Sequence, residues 1–186
     1  MKKTNRKILL IINLIILILG LTKGFHKPFY SLYLFTRQTI LLTNIYFVIL
    51  YLPVKSKIKK NLSFICLIDC LLLLFYNFKI ENKHLYHQRN SFEILVAHLE
   101  HIFLPLIFSY YYFFLNKTSL KLKHFYIGLI HPFLYWILCV IWHKSPYQII
   151  DLNISLSNLL FYGIILSLIS IVSLTLIKIK NKIIRK

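Results

Sequence analysis

Acidic side chains, glycine and proline are scarce in this chain of 186 residues: five residues are Asp or Glu, four are Gly and five are Pro. In an average soluble domain about one residue in four is charged. This chain contains no long hydrophilic segment and no linker, and 58% of it is hydrophobic. Several apolar runs instead reach the roughly 20 residues that cross a bilayer. The sequence therefore predicts a multi-pass membrane protein.

Several common functional motifs are also missing. The three cysteines, Cys66, Cys70 and Cys139, lie inside apolar runs without CxxC or Cys/His metal spacing, and buried thiols of this kind usually act as small apolar fillers. No Gly-x-Ser-x-Gly elbow, HExxH motif or phosphate-binding loop occurs. No metal site and no cofactor is predicted. The first apolar run lacks a small-residue cleavage site, so it is predicted to be a retained span.

The excess of positive charge has a topological explanation. The formal net charge of +18 could indicate nucleic-acid binding, but that requires a basic stripe on a folded domain. Here Lys and Arg lie between the apolar runs. Sixteen of the 23 fall on one side of the predicted membrane topology and six on the other. By the positive-inside rule the richer side is cytoplasmic, so we predict contact with membrane lipids and not with nucleic acid.

The apolar runs predict an all-α fold with both termini cytoplasmic, in a cell membrane. A single domain over residues 1–186 would contain six transmembrane helices. They are predicted at residues 8–21, 29–52, 62–78, 92–115, 122–142 and 154–177. Connections are short, so consecutive helices should be antiparallel neighbours.

Ionisable residues inside these spans are the candidates for function, because each costs several kcal/mol in hydrocarbon unless it faces a bundle interior or a polar partner. The fourth span carries His98, Glu100 and His101. Arg37 lies in the second span and needs an acceptor because it cannot lose its charge. Glu100 and Asp69 are the carboxylates at comparable depth. Glu100 points about 100° away from His101, which favours Glu100 as a partner for Arg37 or for another helix over a role in orienting His101.

A polar stripe on the second span contributes further candidates. Thr36, Thr39, Thr43 and Asn44 share a broad arc with Arg37. A hydrogen bond to the carbonyl one turn back would satisfy such threonines without any functional role. At 1.5 Å per residue, Thr36, Asp69 and His101 all lie roughly 10–14 Å below the outer surface. That shared depth predicts one site.

Two histidine questions stay open at this stage. His98 and His101 are three residues apart and share a helix face; they could be a structural pair, part of a metal site with ligands from elsewhere, or general bases. His131, before Pro132 in the fifth span, is a further contributor to a site or a hydrogen-bonded structural residue.

Two segments together resemble the androgen-induced integral membrane protein family, in particular its bacterial branch of small six-helix proteins. They are LYLFTRQTILLTNIYFV and HLEHIFLPLIF, followed by HKSPYQIID before the last span. The resemblance covers residues 29–177. It implies six helices and, from the animal members, hydrolysis of fatty acyl esters by an intramembrane Thr and a His.

The resemblance assigns the nucleophile to Thr36, within Leu34-Phe35-Thr36, and the base to His101, before Leu104-Pro105. The spacing from His to Pro is one residue shorter than in the animal members, which keeps His98 as an alternative. The competing hypothesis is a non-enzymatic membrane protein, such as a small transporter or an assembly partner, in which the buried ionisable residues conduct protons or ions. Against transport, no two corresponding helices are interrupted by Gly or Pro.

Overall fold

The structure is a computed structural model, and it describes residues 3–23, 32, 34–79, 90–142 and 155–185. Within these residues all regular secondary structure is helical. We number the described helices α1 to α6 in chain order. They are α1 (Lys3–Lys23), α2 (Phe35–Ile49), α3 (Ser56–Lys79), α4 (Ser91–Leu115), α5 (Leu122–Ile141) and α6 (Leu156–Arg185).

Three of the described helices, α4, α5 and α6, are long and apolar enough to cross a membrane. The bounds of α4 and α5 agree closely with the predicted fourth and fifth spans. The sixth differs, because α6 continues as helix to Arg185 instead of stopping near residue 177. The reason is that its last turns alternate apolar and basic residues of good helix propensity, with no glycine or proline to end the helix.

The second and third helices differ from the predicted spans at the connection between them. Helix α2 ends at Ile49, before the predicted residue 52, and α3 begins at Ser56, before the predicted residue 62. Lys59 explains this tight connection, because its ammonium group donates hydrogen bonds to the carbonyl oxygens of Leu52 (2.9 Å) and Leu50 (3.5 Å). The start of the second span is also later than predicted: the helix begins at Phe35, because Leu34 has an extended backbone and acts as its N-cap. Residues 29–31 lie outside the described residues.

The helices group into two compact units, Met1–Lys117 and Thr118–Lys186. In the first unit α1 packs against α2 and the first half of α4, while α3 packs against α2 and the second half of α4. Aromatic rings of α2 and α4 form part of the core: Tyr46, Phe47, Phe108 and Tyr111 have neighbouring ring centroids 5.2 to 5.9 Å apart. The hydroxyl oxygens of Tyr46 and Tyr111 lie 2.8 Å apart.

These contacts also fix helix directions in the first unit. Asn13 of α1 contacts Thr43, and Gly20 contacts Arg37, so α1 and α2 run antiparallel. Arg37 contacts Glu100, and Tyr46 contacts Tyr111, so α2 and α4 run parallel. These three directions are the ones that the first, second and fourth of a series of alternating membrane crossings would have.

In the second unit α6 packs against the first half of α5. The rings of Trp136 and Tyr162 contact each other in a tilted arrangement, with centroids 5.1 Å apart. Large apolar side chains are exposed on α6, among them Leu160, Ile164 and Ile171. Exposed apolar surface of this kind is rare on soluble monomers and is typical of a face that contacts lipid.

Candidate functional site

A π-helical turn interrupts α4 at Leu99–Phe103, where two of the candidate residues lie. The Leu104 amide donates to the Leu99 carbonyl, five residues back, and Pro105 has no amide hydrogen to donate. The carbonyl oxygen of Glu100 therefore lacks the Leu104 amide as its α-helical donor. Residue 105, five residues on, is a proline and cannot replace it. Such π turns often occur at functional sites. A second π-helical turn ends α4 at Tyr111–Leu115, and 'the π turn' below means Leu99–Phe103.

This turn is the meeting point of the first unit, because it contacts α1, α2 and α3. Of its residues, Glu100 is buried with 2% exposure, while His101 is half-buried. The candidate site therefore lies where four helix segments converge on one short stretch of α4.

A buried ion pair joins α2 to the π turn. Arg37 Nη1 contacts Glu100 Oε1, and the two side chains are 5% and 2% exposed. This confirms Glu100 as the partner of Arg37, as the sequence predicts. A charge-assisted contact in a low-dielectric interior is strong, and the attraction between the partners offsets part of the desolvation penalty that each of them bears.

Gly20 of α1 allows a third helix to approach the pair. A Cβ atom at this position would overlap both Arg37 Nη1 and Glu100 Oε1. Only glycine leaves the backbone of α1 this close to two side chains. Sequence reasoning missed Gly20, although a glycine within an apolar helix of a glycine-poor chain is the signal that could have found it.

Away from the ion pair, three polar residues lie between α1 and α2: Asn13, Thr43 and Asn44. Asn44 Nδ2 donates to the Asn13 carbonyl (3.2 Å) and to the Ile40 carbonyl (2.9 Å). Thr43 Oγ1 donates to the Ile40 carbonyl (2.8 Å) and lies 3.2 Å from Asn13 Oδ1. Thr43 thus makes the local hydrogen bond expected of a structural threonine. Asn13 was not among the sequence candidates.

The predicted catalytic residues flank the ion pair in the chain. Thr36 precedes Arg37 on α2 and is buried with 4% exposure; His101 follows Glu100 in the π turn. Because Arg37 and Glu100 are in contact, α2 and the π turn approach each other beside these two residues.

The remaining candidates have different surroundings. Asp69 on α3 is completely buried, one helical turn from Cys66 and next to Cys70. His98 is exposed, with its Nδ1 atom 3.0 Å from the Ile94 carbonyl oxygen. His131 belongs to the second unit, where it is half-buried at the start of the α-helical part of α5. The exposure of His98 makes His101 the better candidate of the two neighbouring histidines.

No group of three or more His, Cys, Asp or Glu side chains able to hold a metal ion occurs among the described residues. The chain shows no match to protein-family models, to curated proteins or to solved structures.

Proposed function

We propose that this chain is a six-span membrane protein that hydrolyses lipid esters within the membrane, with Thr36 as the nucleophile and His101 as the general base. The observation that carries the proposal is the buried Arg37–Glu100 pair. It ties α2 to the π turn at the two positions adjacent to Thr36 and His101. In this role Arg37 and Glu100 are positioning residues.

The chemistry is an acyl transfer. A threonine hydroxyl is a weak nucleophile and needs an adjacent base. His101 takes the proton of Thr36 as the Oγ1 atom attacks the ester carbonyl carbon, and it returns that proton to the departing alcohol. Water then hydrolyses the acyl-threonine and regenerates the hydroxyl. Because the ester lies in the bilayer, it would reach the site laterally.

Six spans with both termini cytoplasmic would place Thr36 and His101 below the outer surface of the membrane. The three apolar helices α4, α5 and α6 are long and apolar enough to be the last three crossings. The directions of α1, α2 and α4 support α1 and α2 as the first two crossings and α4 as the fourth, and we assign the third crossing to α3. The distribution of Lys and Arg then sets the termini inside.

The decisive experiment compares purified variants on a panel of lipid esters and with a fluorophosphonate probe. Thr36→Ala and His101→Ala should each lower turnover and probe labelling by about 10²-fold or more, whereas Thr36→Ser should retain part of both. Thr175→Ala is the matched control, since Thr175 is exposed in the second unit and bonds the Ile171 carbonyl. Turnover that survives both alanine substitutions would contradict the proposal.

A proton-coupled carrier is the second candidate, favoured by two buried carboxylates, Asp69 and Glu100, in the first unit. Intramembrane carboxylates are typical of proton relays. In proteoliposomes a carrier would move protons in a manner that Asp69→Asn abolishes and Thr36→Ala leaves intact. The hydrolase predicts the opposite dependence for ester turnover.

A further inference from the structure

The described residues of the second unit carry basic side chains and no acidic ones. These residues, 118–142 and 155–185, include six Lys or Arg and no Asp or Glu. These cations are Lys121, Lys123, Lys178, Lys180, Lys182 and Arg185. Such a concentration of one sign raises the local concentration of anions.

All six cations lie at one end of the unit. Asn181 Nδ2 donates to the Leu120 carbonyl oxygen over 3.2 Å, so the last turns of α6 lie beside the first residues of α5. The chain reverses direction between these helices, which brings Lys121 and Lys123 to the same end as the basic tail of α6. One pole of the unit is therefore strongly cationic.

A cavity of about 390 Å³ opens at this pole. Its lining combines cationic, amide and apolar groups, from Leu122, Lys178, Asn181, Lys182 and Arg185. The three cations are spaced by four and then three residues on α6, so they project from one helix face. Because all three side chains are exposed, their charged groups are accessible to a ligand.

The position of the cavity along the membrane normal indicates a lipid headgroup as its ligand. The uncharged part of α6, residues 156–177, is roughly 33 Å long at 1.5 Å per residue, close to the roughly 30 Å hydrocarbon core of a bilayer. Lys178, the first cation after it, then lies at the level of the phosphates. Leu122 provides an apolar wall on the side of the cavity formed by α5.

We propose that this cavity binds a phosphate group, that of an anionic phospholipid headgroup. Lys178, Lys182 and Arg185 contact the phosphate oxygens, the Asn181 side chain lies beside them, and Leu122 contacts the adjoining glycerol and acyl carbons. Basic pockets between membrane helices bind anionic headgroups by this combination of charge and apolar contact. The site does not depend on the hydrolase proposal.

The test uses the full-length protein in zwitterionic detergent, titrated with short-chain phosphatidylglycerol, short-chain phosphatidylcholine or inorganic phosphate. Binding is followed by microscale thermophoresis. We expect saturable binding of phosphatidylglycerol and at least tenfold weaker binding of the other two. The variant Lys178→Gln/Lys182→Gln/Arg185→Gln should bind phosphatidylglycerol about 10- to 100-fold more weakly.

Two further variants guard the interpretation. Lys7→Gln/Lys55→Gln/Lys57→Gln removes three exposed charges from the first unit and should bind like the parent chain. Lys178→Arg/Lys182→Arg/Arg185→Lys keeps the charge and should bind within a few-fold of it. Undiminished binding by the Gln triple variant, or equal loss in the control triple variant, would overturn the site. Equal binding of inorganic phosphate or phosphatidylcholine would overturn the lipid assignment.

Discussion

At the scale of single residues, the Arg37–Glu100 pair has asymmetric consequences. If Arg37 is removed, Glu100 can take a proton and become neutral, whereas Arg37 left alone stays charged. We therefore predict that Glu100→Met lowers the free energy of unfolding by about 3–5 kcal/mol and Arg37→Met by less. The double variant should lose less free energy of unfolding than the sum of the two single losses, because no unpaired charge remains.

These values can be measured by denaturant unfolding in mixed micelles, followed by helical circular dichroism. A double variant whose loss equals the sum of the single losses would show that the two side chains do not stabilise each other. Turnover measured on the same samples separates a positioning role from a purely structural one.

Gly20 and Gly163 offer a matched pair of substitutions. Gly20→Ala would place a methyl group onto Arg37 and Glu100 and should destabilise by roughly 1–3 kcal/mol. At Gly163 nothing lies within 4 Å of an added Cβ. Gly163→Ala should therefore be neutral or stabilising by up to about 1 kcal/mol, the helix propensity difference. Thermal unfolding of the two purified variants decides this, and equal losses would contradict the close approach of α1.

Sequence reasoning found the charged members of this site but not its neutral ones. Arg37 needs an acceptor in hydrocarbon, and the chain has five Asp or Glu residues, of which Asp69 and Glu100 lie at comparable depth in the predicted spans. The structure pairs Arg37 with Glu100. Gly20 and Asn13 carry no such constraint. Their importance depends on α1 lying beside α2 and the π turn, and the order of helices around a bundle does not follow from apolar periodicity.

At the scale of helices, the π turn of α4 can be tested through Pro105. Pro105→Ala supplies an amide hydrogen, which favours regular α-helix across Leu99–Phe103, and it removes the usual cost of proline in a helix. We expect the melting temperature to stay the same or rise. Turnover should fall by about 10²-fold, since small displacements of catalytic groups have effects of that size.

The matched control is Pro132→Ala in the second unit, which should leave ester turnover unchanged. Lower stability together with unchanged turnover in Pro105→Ala would show that the π turn serves packing alone.

Helix bounds followed the sequence best where apolar runs end in strong polar signals. The fourth helix begins after Asn90, whose side chain accepts a hydrogen bond from the Glu93 amide (2.8 Å), an N-cap preference that short-range sequence encodes. The last helix ran longer than predicted because hydropathy marks where the membrane ends, and a helix can continue beyond that point. The π turn was not predicted, although Pro105 was a visible signal for it.

At the scale of the whole molecule, the number of crossings can be measured with a membrane-impermeant maleimide. The native cysteines are all buried, so the parent chain should not label. With six spans, three crossings separate residue 57 from residue 145, and Lys57→Cys and Ser145→Cys should label from opposite sides. If only α4, α5 and α6 crossed, two crossings would separate them and both would label from the same side.

The experiment is done on intact cells and again after permeabilisation. Labelling of Ser145→Cys from outside and of Lys57→Cys only after permeabilisation is the expected result. Labelling of both variants in intact cells would contradict the six-span topology and the depth argument for Thr36 and His101 with it.

Because Gly20 lies close to two charged side chains on different helices, the residues tolerated at positions 20, 37 and 100 depend on one another. A larger residue at position 20 forces the Arg37 and Glu100 side chains to shift, and shorter side chains at positions 37 and 100 would relieve the overlap. Across natural variants these positions should therefore change as a set. In a library that randomises all three, selection for a stable protein should recover Gly-Arg-Glu or combinations of small neutral residues, and few mixtures of the two.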